Sequence, residues 1–424
     1  MLVICLCIFA VLLIIGTPII LCLGLPSTVW LLASARIPNL VMAQKMFTAC
    51  DSFSLMAIPF FMLAGQIMER TGITEAIVDF ANACIGWIRG GLACAVELAG
   101  IIMAGISGSS NADASALGSI CLRALKRSGY EEGWAAAIVV SASGLGPIIP
   151  PSIIMIIYAN AAGLNIGKLF MGGILPGVFL GIVYMLVAAN YARRKGIATT
   201  PFMGFKHLWK TFKKAIWALI MPVIIVVGIL TGWFTATEAG VTASLYGLAY
   251  GLIVKKINVR SIIMSLRDAV ISATGPVSLI AVSSIFSYML AREGVTTAVA
   301  NFCVNHIGSQ FGMLSFMVFV CILGGCFIDG TAILLLMTPI FLPIVQQVGI
   351  DVQQFSIIFM IAIMSGGMTP PVGSMLFVIS GIDNTPISKM VKPILPFIGA
   401  LLIVIILMMI FPQISCWLPS VLGY

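Results

Sequence analysis

Two stretches of this chain read as one device built twice, and few folds accommodate it. The first is Gly105-Ile-Ser-Gly-Ser-Ser-Asn-Ala-Asp-Ala-Ser115, followed by Gly144-Leu-Gly-Pro-Ile-Ile-Pro-Pro-Ser152. The second is Gly324-Gly-Cys-Phe-Ile-Asp-Gly-Thr331, followed by Gly366-Gly-Met-Thr-Pro-Pro-Val-Gly373. Each pairs a small, polar, Gly-rich break with a Gly/Pro break further on, inside strongly apolar sequence. Such breaks free backbone N–H and C=O groups from helical pairing. At membrane depth those groups are tolerated only where they line a protein cavity or bind an ion. Two interruptions in corresponding halves point to the binding site of a secondary transporter.

Composition places the chain in a bilayer. It is 61% hydrophobic and 8% charged, against roughly 25% charged in soluble domains. The apolar runs are long and continuous, unlike the short alternating segments of a membrane β-barrel. One all-α polytopic bundle is expected rather than several soluble domains. The net charge of +8 is no nucleic-acid footprint, because the basic residues collect in a few short loops, as the positive-inside rule describes. The eleven cysteines stand singly with no CxxC pair, as small core residues do. The first 24 residues hold no Lys or Arg and read as a retained span rather than a signal peptide.

The halves align. Thr71-Gly-Ile-Thr-Glu-Ala-Ile-Val-Asp-Phe80 matches Glu293-Gly-Val-Thr-Thr-Ala-Val-Ala-Asn-Phe302 at an offset of 293 − 71 = 222. Gly105 with Gly325, and Pro150-Pro151 with Pro370-Pro371, both give 220. Three matches in order at nearly constant offset make an internal repeat. The basic stretch 193–214 reads as a cytoplasmic loop joining the halves, and Lys255 to Arg267 as a second cytoplasmic segment. Arg89 precedes a first re-entrant hairpin at 92–122, and Arg123, Lys126 and Arg127 follow it, so both its ends face the cytoplasm. A second hairpin at 308–347 has no Lys or Arg close to either end. Counting spans puts its ends outside, so the repeats are inverted, with both termini outside. Spans are expected near 2–24, 52–69, 170–191, 215–231, 237–254, 271–290 and 393–417, and broken spans at 134–162 and 355–381. Segments 36–50 and 257–269 align with each other and read as horizontal interfacial helices. Trp87, Trp134, Trp209 and Trp217 suit an interfacial belt.

Asp113 and Asp329 are the carboxylates expected deepest in the membrane, where a charge is a functional hypothesis by default. The alternative is that each caps the returning arm of its hairpin, and the two roles are compatible. Ser107, Ser109, Ser110 and Asn111 offer hard oxygens at the first tip, with carbonyls freed at Gly144 and Gly146. In the second half Asp329 and Thr331 face Gly366, Met368 and Thr369. Small sites of side-chain and carbonyl oxygens suit a weakly held hard cation, Na+. No His/Cys cluster favours a transition metal. The returning arms start at the tips, and their N-termini favour an anionic substrate, hence a carboxylate. Close helix packing through Gly and Ser explains the glycines but not the Pro-Pro pairs. Glu238 and Arg292, near the outer face, are candidates for docking or for substrate admission, the plainer reading being solvated interface charges. Gly105-Ile-Ser-Gly108 matches the GxSG of intramembrane serine proteases. Such enzymes need a His base on a membrane helix, and His207 and His306 lie in a basic loop and at a hairpin's start. An aspartyl pair of Asp113 and Asp329 leaves the duplicated Pro-Pro breaks unexplained. A passive channel suits closed, paired tips less well than a transporter.

These motifs, with Thr235-Ala-Thr-Glu-Ala-Gly240, resemble the large membrane (M) subunit of tripartite ATP-independent periplasmic (TRAP) transporters over essentially the whole chain. The resemblance implies the ion-transporter-superfamily fold with a scaffold and an elevator-like transport domain. The parts would be 1–91 (scaffold, first half), 92–169 (transport half 1), 170–307 (scaffold and linking helices), 308–392 (transport half 2) and 393–424 (C-terminal span). It also implies sodium-coupled uptake of an organic acid such as sialic acid or a C4-dicarboxylate, across a bacterial inner membrane. A small four-helix membrane (Q) subunit would brace the scaffold, and a soluble periplasmic binding (P) protein would deliver substrate. The family's sodium-site residues map onto Ser107, Ser109, Asn111, Gly144 and Gly146, and onto Gly325, Asp329, Gly366 and Thr369, joined by Met368. Substrate contacts are expected from Ser110, Asp113, Pro150, Thr331 and Pro370. The alternative is a stand-alone sodium–dicarboxylate symporter of the same fold.

Overall fold

The structure, a computed structural model, describes residues 1–34, 37–199, 201–370 and 372–423, and these contain helices and no strand. The first half opens with α1 (Leu2–Ile14), α2 (Ile19–Ala33), α3 (Leu40–Cys50), a 3-10 turn (Phe53–Met56), α4 (Ala57–Arg70) and α5 (Ile73–Ile85). A hairpin follows, α6 (Gly91–Ser107) and α7 (Ser110–Arg127), then a broken span, α8 (Glu132–Ser143) and α9 (Ile153–Ala162). The middle comprises α10 (Ile166–Lys195), α11 (Phe205–Leu230), α12 (Ala236–Ile253), α13 (Val259–Arg292) and α14 (Val295–His306). The second hairpin is α15 (Gln310–Gly325) and α16 (Gly330–Val348), and the second broken span α17 (Val352–Met368) and α18 (Ser374–Asp383). The chain closes with α19 (Ile387–Ile410) and α20 (Gln413–Val421). Among the described residues, five helices are long and apolar enough to cross a bilayer alone: α10, α11, α13, α16 and α19. The chain is an all-α polytopic membrane protein.

Both hairpins double back, entering from opposite ends of α10. A Cβ built on Gly90, just before α6, lies 2.9 Å from the Cβ of Ala192, and the Tyr130 ring, just after α7, lies 6.1 Å from that of Tyr191. Both ends of hairpin 1 therefore sit at the basic, C-terminal end of α10. In hairpin 2 the Gln310 Nε2 donates to the Gly349 carbonyl at 3.4 Å, so its ends also meet. Just beyond, Gln353 Nε2 donates to the Lys168 carbonyl at 3.0 Å, at the N-terminal end of α10. With about 1.5 Å rise per residue, the 23 residues from Lys168 to Tyr191 set these ends some 35 Å apart, a membrane's thickness.

The repeat is visible in backbone detail. Gly72 and Gly294 hold φ of 75° and 72°, and each starts the helix of its aligned segment, α5 or α14. That left-handed turn is open to glycine and strained for most other residues. Past each Pro-Pro pair a backbone N–H reaches the hairpin tip of its own half: Ile153 N donates to the Gly108 carbonyl at 3.4 Å, and Val372 N to that of Cys326 at 3.3 Å.

Several expected segments are corrected. Span 2–24 is two helices, because Gly16 at φ 79° ends the first and Pro18 caps the second. The horizontal helix expected at 36–50 starts at Leu40, with Arg36 outside the described residues. Its partner, 257–269, is no separate helix but the opening of the 34-residue α13. The repeat breaks symmetry here: Asp51-Ser52 interrupts the first half and bends α3 from α4 by 61°, whereas the aligned Ser272-Ala273 runs on as helix. Asp and Ser compete for backbone bonds in helix interiors, and Ala does not. Much of the expected basic loop 193–214 is helical, with Arg193, Arg194 and Lys195 closing α10 and Lys206, Lys210, Lys213 and Lys214 on α11. The span 393–417 ends at Ile410, and α20 follows Pro412. Trp134 stacks on Tyr191, with ring centroids 3.8 Å apart, and so packs inward rather than in a belt.

Candidate functional site

Tip 1 is only Gly108 and Ser109, between α6 and α7. Gly108 sits at φ 61° against the returning broken span, close enough that a Cβ would meet Ile153 N at 3.2 Å. The turn aims α7's N-terminus at the protein's interior. Its carboxylate is Asp113, fully buried. The Ser107 hydroxyl donates to Asp113 Oδ1 at 2.6 Å, and Ser109 N donates to Ser107 Oγ at 3.1 Å. Asp113 Oδ2 has no partner. A Cβ on Gly146, in the broken span, would lie 3.0 Å from that oxygen and 3.2 Å from Ser110 N. Only glycine leaves the Oδ2 approach open.

A fully buried carboxylate with one oxygen unpaired is costly unless a cation or proton complements it. Its polar neighbours on the hairpin, Ser107 and Ser109, offer hydroxyl oxygens, and the described residues hold no cluster of three or more His, Cys, Asp or Glu. The residues present therefore fit a monovalent hard cation better than a transition metal.

Tip 2 spans Cys326–Asp329. Here Asp329 caps α16, its Oδ2 accepting from Thr331 N at 3.0 Å. The side chain is exposed, unlike that of Asp113. Gly325 and Gly366 touch backbone to backbone, a Cβ on Gly325 falling 2.6 Å from Gly366 Cα. Thr369 donates its hydroxyl to the Ser365 carbonyl at 2.6 Å. Met368 is buried, with the Tyr184 hydroxyl 3.8 Å from its sulfur.

One cavity of about 220 Å³ joins the two tips. Ser109, Ser110 and Asn111 line it from tip 1, and Asp329, Gly330 and Thr331 from tip 2, with Gly367 between. Met62 of α4 and Pro276 of α13 close it. These residues lie more than two hundred apart in the chain, and the structure brings them to one space. The others are placed around it: Gly144 and Pro150 are buried in the first broken span, while Gly325, Gly366, Met368, Thr369 and Pro370 belong to the second-half breaks behind tip 2. Glu238 is the N3 residue of a capping box, its Oε2 accepting from Thr235 N and Oγ1 at 2.8 Å each. Arg292 is the exposed last residue of α13.

Sequence reading missed the cavity's outer walls, Met62 and Pro276, which carry no polar signal. It also missed Glu97 of α6. That carboxylate is fully buried, accepts from Ser141 Oγ of α8 at 2.6 Å, and leaves Oε2 unpaired. A Glu in an Ala-rich helix is the signal that finds it.

Inverted hairpins whose tips share a cavity at mid-depth define a secondary-transport fold. The chain belongs to the DctM family, the large permease subunits of TRAP transporters. The family profile described as "Tripartite ATP-independent periplasmic transporter, DctM component" matches residues 6–414. The chain is 37% identical over 388 residues to the C4-dicarboxylate TRAP transporter large permease protein DctM of Pseudomonas aeruginosa, covering 90% of each chain. It is 33% identical over 385 residues to the sialic acid TRAP transporter large permease protein SiaM of Vibrio cholerae, again covering 90% of each. Among solved structures it resembles the YdaH transporter of Alcanivorax borkumensis with a TM-score of 0.62 at 14% identity, covering 88% of this chain and 87% of that one. That likeness concerns the fold.

Proposed function

We propose that this chain is the sodium-driven, substrate-translocating subunit of an organic-acid uptake system in a bacterial inner membrane. The observation that carries the reading is the shared cavity: hard oxygens from two inverted tips converge on it, and behind tip 1 stands an unpaired buried carboxylate oxygen. Sodium would be held at tip 1 by Ser107, Ser109, Asn111 and Asp113, with Gly144 and Gly146 supplying carbonyls. At tip 2, Asp329, Thr369 and the carbonyls of Gly325, Gly366 and Met368 would do the same. The organic anion would lie between, against Ser110, Thr331 and the breaks at Pro150 and Pro370. The positive ends of α7 and α16 face it, which favours a carboxylate. The relatives' names, C4-dicarboxylate and sialic acid, supply the substrate classes to try.

Sodium's chemistry here is charge compensation: it offsets Asp113 and Asp329 so that an anion can bind beside them. The hairpins and broken spans would then carry both across by rigid translation against α4, α11, α12 and α13. A small membrane subunit would brace those scaffold helices. A periplasmic binding protein would deliver the substrate, which makes Arg292 and the Glu238 region docking candidates.

The test is uptake of labelled sialic acid and succinate into proteoliposomes holding the chain with both partner proteins. A sodium gradient without ATP should drive accumulation. Equal accumulation with potassium replacing sodium on both sides would refute sodium coupling.

A further inference from the structure

On the basic side of tip 1 lies a second, smaller cavity of about 80 Å³, between hairpin 1 and helices α4 and α5. Ser107, Ser109 and Asp113 form its hairpin wall, and Gln66, Glu69 and Thr74 its opposite wall. Two buried polar atoms in these walls lack partners: Asp113 Oδ2, and Thr74 Oγ1 in a residue 4% exposed. An unmade hydrogen bond at a buried polar atom is costly, so two in one small cavity call for an occupant. A single water needs only about 10–15 Å³ of such space, so a sodium ion with part of its hydration shell fits.

Glu69 gives that space a sign. It stands exposed at the end of α4 nearest the basic segment, where Gly72 approaches Lys256. Its neighbour Arg70 is bound to Asp268 of α13, and none of the four ion pairs among the described residues includes Glu69. The cavity thus runs from a buried carboxylate on the hairpin to an exposed carboxylate on the scaffold that forms no ion pair, with Gln66 and Thr74 beside it.

We propose that this cavity is a cytoplasmic-side cation site, in which Glu69, with Gln66 and Thr74, receives the sodium ion that leaves Asp113. It rests on the sodium-coupled reading above and adds the route of release. Because one wall is hairpin and the other scaffold, the site exists only while tip 1 lies against the basic end of α4. Ion release is thereby tied to that position of the transport body.

The probe is radioactive sodium alone, binding to the purified chain with its small membrane partner. Removing an exposed charge near an ion weakens binding only modestly, so Glu69→Gln should raise the half-saturating sodium concentration about threefold. Glu69→Asp should stay near wild type, and so should Glu75→Gln, an exposed acid on α5 outside the cavity walls. In a second measurement, Thr74→Cys on a background free of other cysteines is treated with a cationic thiol reagent, and sodium should slow its modification where potassium does not. Wild-type half-saturation in Glu69→Gln, with Thr74→Cys equally reactive in both salts, overturns this proposal and leaves sodium coupling standing. A wild-type protein that binds no sodium overturns both.

Discussion

Gly325→Ala should unseat hairpin 2 from its broken span. The added Cβ would lie 2.6 Å from Gly366 Cα and 3.3 Å from Gly366 N, both backbone atoms without rotamers to turn aside. Carbon pairs prefer about 3.5–4.0 Å, so the overlap is near 1 Å and the helices must part. Overpacking of this kind costs about 1–3 kcal/mol. Alanine's better helix propensity returns at most about 1 kcal/mol. Gly324→Ala gains that same propensity one residue earlier, where the nearest atom would be Ile333 Cδ1 at 3.5 Å. The difference between the two variants therefore isolates the overlap. Thermal unfolding of the purified protein in one detergent should show Gly325→Ala melting clearly below both wild type and Gly324→Ala, with uptake reduced in parallel. A Gly325→Ala protein that melts with or above Gly324→Ala would mean that α15 and α17 do not meet at Gly366.

Asp329→Asn keeps the side chain's size and its acceptor for Thr331 N, so folded yield should hold while half-saturating sodium rises; an unchanged sodium curve reduces Asp329 to a helix cap. Ser107→Ala removes a hydroxyl proposed to hold sodium beside Asp113, so sodium affinity read from uptake should fall; an unchanged sodium curve would remove Ser107 from the site. Thr235→Ala dismantles the capping box and should lower stability by about 1 kcal/mol, measurable by thermal unfolding. The sodium curve should stay unmoved, because that cap lies away from the tips.

Much of this was legible in the residues. Gly and Pro announce breaks wherever they fall in apolar sequence, and the constant offset between halves pairs those breaks. Ser109, Ser110, Asn111, Asp329 and Thr331 were found as two tips because polar residues stand out in such surroundings. That they line one cavity is a long-range fact that only packing decides. The misjudged segments share one cause, since hydropathy marks apolar runs and not the turns inside them. Gly16 and Pro18 split what reads as one run, whereas Gly275 and Pro276 lie inside a helix that stays whole. Glu97 escaped because it stands alone, without a break or a repeat partner to mark it.

In the proposed mechanism the two tips and their supporting arms move as one body against the scaffold. A Cβ on Gly105 of α6 lies 3.1 Å from the Cβ of Pro222 of α11, near the roughly 3.5–4.5 Å that a disulfide requires. Within the body proposed to move, Lys126 of α7 pairs with Asp383 of α18, joining the halves. On a cysteine-free background, Gly105→Cys with Pro222→Cys should form a disulfide that stops uptake, and reduction should restore it. Lys126→Cys with Asp383→Cys, bridged by a short bismaleimide, should leave uptake running. If the bridge within the body stops transport and the bridge to the scaffold does not, the rigid-translation account is contradicted.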